Sequence, residues 1–153
     1  MKTFPMDRIV PVGPEHYEGW DPLYMAYADF YRVRQTDEMR ETVWEWLMDP
    51  YHDLEGLVAL DGAGAAIGLA HFRPFPRPLR AATAGFLDDL FVRPQDRGSG
   101  AAQALMGAVF DIGRERGWVS VRWLTAEDNY RARAVYDRVA KRSRFLTYET
   151  ELA

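Results

Sequence analysis

The sequence contains no cysteine, which excludes disulfides, thiolate metal sites and a cysteine nucleophile together. Histidine is scarce: His16, His52 and His71 are scattered without ligand spacing, so no metal is expected. No run of 18 apolar residues occurs, which excludes a membrane-spanning helix, and no membrane partner is expected. The first residues, Met1 to Asp7, lack the apolar core of a signal peptide, so the expectation is a soluble cytoplasmic protein. Lysine is limited to Lys2 and Lys141, the other cations being arginine. Internal repeats and low-complexity stretches are missing as well.

What is present is an ordinary globular composition. The 153 residues, 48% hydrophobic and 27% charged, suit one domain spanning 1–153. The formal net charge of -4 is unevenly spread: residues 1–76 carry 6 Lys/Arg against 13 Asp/Glu, and residues 77–153 carry 13 against 10. Such a chain is not a uniformly basic nucleic-acid binder, and no nucleic-acid partner is expected. The division suits a site that handles two ligands of opposite charge, although charge runs are commonly just solvated faces.

Hydrophobic periodicity predicts the element order β-α-α-β-β-β-α-β-α-β, a mixed, mostly antiparallel sheet flanked by about four helices. A short strand lies in Asp7–Val12, ended by Gly13-Pro14. Trp20, Tyr24, Tyr27 and Tyr31 mark one face of a first helix, with Asp21-Pro22 as a break near its start. Thr36 caps a second helix with the stripe Met39, Val43, Trp46 and Leu47. Leu54–Asp61 and Ala65–Phe72 form a hairpin around Gly62-Ala63-Gly64. The proline-rich Arg73–Pro78 reads as a surface loop, since proline removes ladder donors. Thr83–Val92 is a strand with Phe86, Asp88, Leu90 and Val92 on one face and Leu87, Asp89 and Phe91 on the other. A helix over Ala102–Ile112 ends at Gly117, Val119–Leu124 is a strand, Asp128 or Asn129 caps a last helix, and Phe145–Leu152 forms a final strand.

The stretch Leu90 to Gln103 carries the chemistry. A strand enters Arg97-Gly98-Ser99-Gly100 and passes straight into a helix. Glycines allow close approach of the main chain, and several N–H groups at a helix start converge on one point. The helix dipole adds about half a positive charge, and Arg97 a full one in fork geometry suited to phosphate. A P-loop is excluded because no Gly-Lys-Ser/Thr follows. A dinucleotide fingerprint fails at its third glycine, where Gln103 stands.

Arg97-Gly-Ser-Gly100-Ala-Ala102 resembles the acetyl-CoA motif Gln/Arg-x-x-Gly-x-Gly/Ala of the GNAT-family N-acetyltransferases. Asp88-Asp89-Leu90-Phe91-Val92-Arg93-Pro94 is similar to the strand that precedes it in that family, and Asn129-x-x-Ala132-x-x-x-Tyr136 resembles the family's later block. The likeness implies a GNAT fold over the chain and acetyl-CoA as acyl donor, with no metal. It implies that the backbone of Leu90, Phe91 and Val92 pairs with the pantetheine arm. The N–H groups of Gly98, Ser99, Gly100, Ala101, Ala102 and Gln103 would hold the pyrophosphate with Arg97 nearby, and Asn129 would contact the cofactor. Tyr136 would protonate the leaving thiolate, the alternative being an aromatic in the stripe with Ala132 and Val139. A homodimer is a further implication.

Acetyl transfer to an amine needs a deprotonated amine, a polarised carbonyl and a proton for the thiolate. Asp88 stands where amine-acetylating relatives often have glutamate, which makes it the candidate base, directly or through water. The alternative is that Asp88 and Asp89 pair with arginines. Because consecutive strand residues face opposite ways, one of the two is expected to face the acceptor. Arg144-Phe145 replaces the family's Gly-Phe, a departure at the final turn. The acidic, aromatic first helices would roof an amine, with Tyr27, Tyr31 and Asp89 lining the acceptor site and most other aromatics forming core. Three readings stay open: a small-amine N-acetyltransferase acting through a ternary complex, a protein lysine or N-terminal acetyltransferase, and a non-catalytic acyl-CoA-binding module.

Overall fold

The computed structural model describes residues 3–153. They fall into two compact units, one reaching to Trp123 and one running from Leu124 to Ala153. The first unit contains β1 (Ile9–Pro11), α1 (Tyr17–Phe30), α2 (Asp37–Met48), β2 (Glu55–Leu60), β3 (Ala66–Arg77), β4 (Ala82–Val92), α3 (Ala101–Arg116) and β5 (Val121–Trp123). Its sheet has the order β1-β2-β3-β4-β5, antiparallel throughout except for the parallel pairing of β4 with β5.

Helices pack on both faces of this sheet. On one face Trp20 and Leu23 of α1, with Val43, Trp44 and Leu47 of α2, pack against Val58, Leu69 and Phe91. Thr36 caps α2 as its sequence implies, its Oγ1 accepting from Met39 N–H at 3.1 Å. The buried stripe is shifted from expectation, however. Met39 and Trp46 are exposed, whereas Trp44 packs tilted against Trp20 with ring centroids 5.1 Å apart, and Arg40 is buried in an ion pair with Asp21 of α1 at 2.8 Å. Asp21-Pro22 does not break α1, because buried Trp20 and Leu23 hold the turn on either side of the proline. On the opposite face α3 lays Ala104, Leu105, Met106 and Val109 onto the sheet, and Gly117 closes it at φ 74°.

Arg73–Arg77 is not a loop but the second half of β3, paired with β4 down to Arg77 opposite Ala82. The prolines are tolerated because β2 reaches β3 only as far as Phe72, so from Arg73 onward β3 has a neighbour on one side alone.

The second unit contains α4 (Tyr130–Val139), capped by Asn129, whose Oδ1 accepts from Ala132 N–H at 3.4 Å. The final strand expected over Phe145–Leu152 is absent: residues 140–153 hold no helix or strand, and Phe145, Tyr148 and Leu152 are about nine-tenths exposed. A strand exists only where its backbone groups find a partner, and among the described residues none is paired with this segment.

Candidate active site

The site begins where β4 loses its neighbour. β5 pairs with β4 through Gly85, Phe86 and Leu87, so among the described residues no strand pairs with the β5-side edge from Asp88 to Val92. Arg93 N–H donates to Ile67 O at 2.9 Å, which sets the phase of the antiparallel ladder. Phe91 opposite Leu69, and Asp89 opposite His71, therefore exchange their backbone bonds with β3. The N–H and C=O groups of Leu90 and Val92 point to the open edge instead. Phe91 contributes its ring rather than its backbone to this region, packing edge-on against Tyr27 at 5.5 Å.

A β-bulge lies just upstream. His71 pairs with Asp89 but Phe72 with Leu87, leaving Asp88 as the extra residue. The bulge resets the alternation expected for β4. Leu87 lies opposite Phe72, which packs on Trp118, and a Cβ on Gly85 would meet that same Trp118. Phe86 instead contacts Phe75 on the other face, the one that also carries Asp89 and Phe91. Asp88 and Asp89 consequently do not part to opposite faces. Asp89 binds His71 and Asp88 binds Arg73, two β3 residues spaced for the same face.

Beyond Val92 the chain turns through Pro94–Asp96 and Arg97–Gly100 into α3. Gly98 and Gly100 have φ of 84° and 88°, values that glycine alone adopts without strain. Ser99 N–H is taken by Asp96 O, and Ala101 N–H by Ser99 Oγ. Among the described residues the N–H groups of Gly98, Gly100, Ala102 and Gln103 have no such acceptor. No acidic side chain occupies the first turn of α3, and a Cβ on Gly98 would meet nothing within 4 Å. The N–H groups and the helix start make this turn electropositive. Arg97 flanks it, with its guanidinium over Phe30 at 4.8 Å and its Nε donating to Val92 O at 3.4 Å.

The two carboxylates differ sharply in surroundings. Asp89 Oδ2 accepts from Tyr24 hydroxyl at 2.9 Å and from His71 Nδ1 at 2.8 Å. His71 Nε2 in turn accepts from the indole N–H of Trp20 at 2.9 Å. Indole is a donor only, so the His71 proton sits on Nδ1 and the direction of the whole chain is fixed. Burial works to raise the Asp89 pKa, yet the His71 and Tyr24 hydrogen bonds outweigh it and hold the carboxyl below its ordinary value. Burial and the Asp89 charge push the Tyr24 phenol upward, so it stays a donor. Asp88 is half-exposed, and its Oδ2 accepts from Arg73 Nε at 3.0 Å. Burial raises its pKa in spite of Arg73.

Several of these residues carried no obvious sequence signal. His71 is one of three scattered histidines without ligand spacing; its place inside the apolar run Ala65–Phe72 is the one signal of a buried, bonded ring. Trp20, Tyr24 and Arg73 become site residues only through contacts across 51, 65 and 15 positions of sequence. Tyr27 lies in an aromatic row between Tyr24 and Tyr31, and Tyr31 is partly exposed at the end of α1. Asn129 and Tyr136 belong to the second unit, where Asn129 caps the helix that carries Tyr136.

Residues 20–140 match the acetyltransferase (GNAT) family. The D-amino-acid N-acetyltransferase HPA3 of Saccharomyces cerevisiae is 30% identical over 146 residues, covering 94% of this chain and 91% of that protein. Among solved structures, a probable acetyltransferase superposes with a TM-score of 0.85 at 24% identity, covering 95% of this chain and 98% of that one. AAC(6')-Iy, in complex with a bisubstrate analogue, CoA-S-monomethyl-acetylneamine, superposes with a TM-score of 0.80 at 21% identity, covering 94% and 97%. The fold is thus shared with proteins of that kind, and the sequence match extends over most of the chain: it belongs to the GNAT family and is an N-acetyltransferase.

Proposed function

We propose that the protein moves an acetyl group from acetyl-CoA directly to the primary amine of a small molecule within a ternary complex. The observation that carries this reading is continuity. The open edge of β4 at Leu90 and Val92 leads without interruption into the glycine turn and the N–H groups opening α3. An extended arm ending in phosphates needs such a path. HPA3, named for acetylating D-amino acids, and AAC(6')-Iy, bound to a CoA–aminoglycoside analogue, support a small amine as acceptor.

Acetyl-CoA supplies an activated thioester, so no covalent enzyme intermediate is required. In this reading the backbone of Leu90 and Val92 orients the pantetheine arm. The N–H groups of Gly98, Gly100, Ala102 and Gln103 bind the pyrophosphate, with Arg97 adding charge. Asp88, with its raised pKa, takes the ammonium proton, directly or through one water. Tyr136 gives a proton to the departing thiolate, and Asn129 fixes the start of its helix.

The test is release of free CoA from acetyl-CoA across a panel of amines, with Tyr136→Phe as the comparison. Turnover on small amines is expected, with kcat reduced about 100-fold in Tyr136→Phe, the scale of one general acid. Measurable acetyl-CoA binding without turnover on any amine defeats the proposal. Full kcat in Tyr136→Phe removes that residue from its role.

A further inference from the structure

The Arg73–Asp88 pair has a geometry that a simple amine site does not require. Asp88 is approached side-on: Arg73 Nε lies 3.0 Å from Oδ2, and Nη2 lies 3.3 Å from Oδ1. The opposite edge of the guanidinium, formed by Nη1 and the second hydrogen of Nη2, is not used by Asp88. Arg73 lies over Phe86, with its Cζ 4.8 Å from the ring centroid, and Phe86 in turn meets Phe75 at 6.0 Å. Both partners remain partly exposed, with side chains 41% and 28% accessible. The pair sits at the bulge where the open edge of β4 begins.

We infer that Arg73 and Asp88 together form a receptor for a zwitterion, so that the acceptor is an amino acid whose carboxylate is bound by the free edge of Arg73. This rests on the reading of the open β4 edge as the acyl-donor site. A fork of two N–H groups matches a carboxylate, and Asp88, with further lone pairs beyond those facing Arg73, receives the ammonium. Both charges of the ligand are then satisfied without breaking the resident pair. A polyamine or aminoglycoside fits less well. It brings only positive charge to a carboxylate that Arg73 has already neutralised, and places that charge beside a guanidinium.

The experiment compares each amino acid, in D and L forms, with its decarboxylated amine, using the full chain and acetyl-CoA. The wild type is expected to prefer the amino acid in kcat/KM by about 10- to 100-fold, the scale of one charged hydrogen-bonded contact. Arg73→Met should collapse that preference toward one, mainly through the KM of the amino acid, and Arg73→Lys should restore part of it. Equal use of amino acid and amine by the wild type, or an unchanged preference in Arg73→Met, overturns the inference while leaving the acetyltransferase reading intact. Absence of turnover on every acceptor overturns that reading instead. Calorimetry of the amino acid with the CoA-loaded protein then decides Arg73 separately: binding that is lost in Arg73→Met supports its role, and binding that is equal or absent in both proteins refutes it.

Discussion

Replacing Asp89 tests whether the buried chain from Trp20 through His71 and Asp89 to Tyr24 holds the site together. Asp89→Leu leaves the Tyr24 hydroxyl and His71 Nδ1–H, now 2.9 and 2.8 Å from the carboxylate, without an acceptor. Each stranded buried donor costs about 1–3 kcal/mol, hence about 2–6 kcal/mol together. That is a large share of the 5–15 kcal/mol, roughly, that holds a domain folded. Asp89→Asn keeps an acceptor oxygen but exchanges two charge-assisted bonds for neutral ones, a loss of about 1–3 kcal/mol. Urea unfolding followed by tryptophan fluorescence reads both. With a slope of about 2 kcal/mol/M, the midpoint falls by about 0.5–1.5 M for Asn and about 1–3 M for Leu. The pH dependence gives an independent check. The folded-state pKa of Asp89 is lowered, so its contribution is complete above the unfolded value of about 3.9 and is lost as pH falls through the folded value. The gap between wild type and Asp89→Asn should therefore be full at pH 6 and shrink toward pH 3. A Leu variant with the wild-type midpoint, or an Asn gap that is constant over that range, refutes the network's role.

Two further substitutions probe glycines of β4 and of the turn before α3. Gly85→Ala places a Cβ 2.3 Å from the Trp118 ring, which also crowds Gly113, so neither side can yield easily. Overpacking of this kind costs about 1–3 kcal/mol, and calorimetry should show Tm lowered by about 3–10 °C. Gly100→Ala forces a side chain to φ 88° at the start of α3, at a cost of about 1–2 kcal/mol. If the turn binds the pyrophosphate, CoA affinity measured by titration calorimetry should fall about tenfold or more, and unchanged affinity would remove the turn from the site.

The parts of the fold legible in the sequence are those decided locally. The glycine turn before α3, the Thr36 cap and the Gly117 stop depend on residues within a few positions of one another, and the structure has them where the sequence places them. What was illegible depends on neighbours distant in sequence. Trp44 packs inward, partly buried, while Trp46 is exposed, because Trp20 lies across from Trp44, and helical spacing alone does not set the phase of a stripe. The prolines of β3 suggest a loop because the sequence does not say that β2 ends opposite Phe72. Aromatic and β-prone residues at Phe145–Leu152 suggest a strand, but propensity supplies no partner.

The Asp88-Asp89 pair shows why such a difference matters for function. In a regular strand the two would part to opposite faces, and choosing between them would be a choice of which side holds the acceptor. The bulge removes that choice and divides the labour. Asp89, locked by Tyr24 and by a histidine whose tautomer Trp20 fixes, has its pKa held low, which suits it to a positioning role. Asp88, bulged out and only partly covered, keeps a raised pKa and an exchangeable partner in Arg73. A proton acceptor must be able both to take and to release a proton near neutral pH, and to meet a ligand that arrives from solvent. Those requirements oppose the deep hydrogen bonding that makes Asp89 a good anchor. Two identical side chains, adjacent in sequence, are thus suited to different tasks by one extra residue in the ladder.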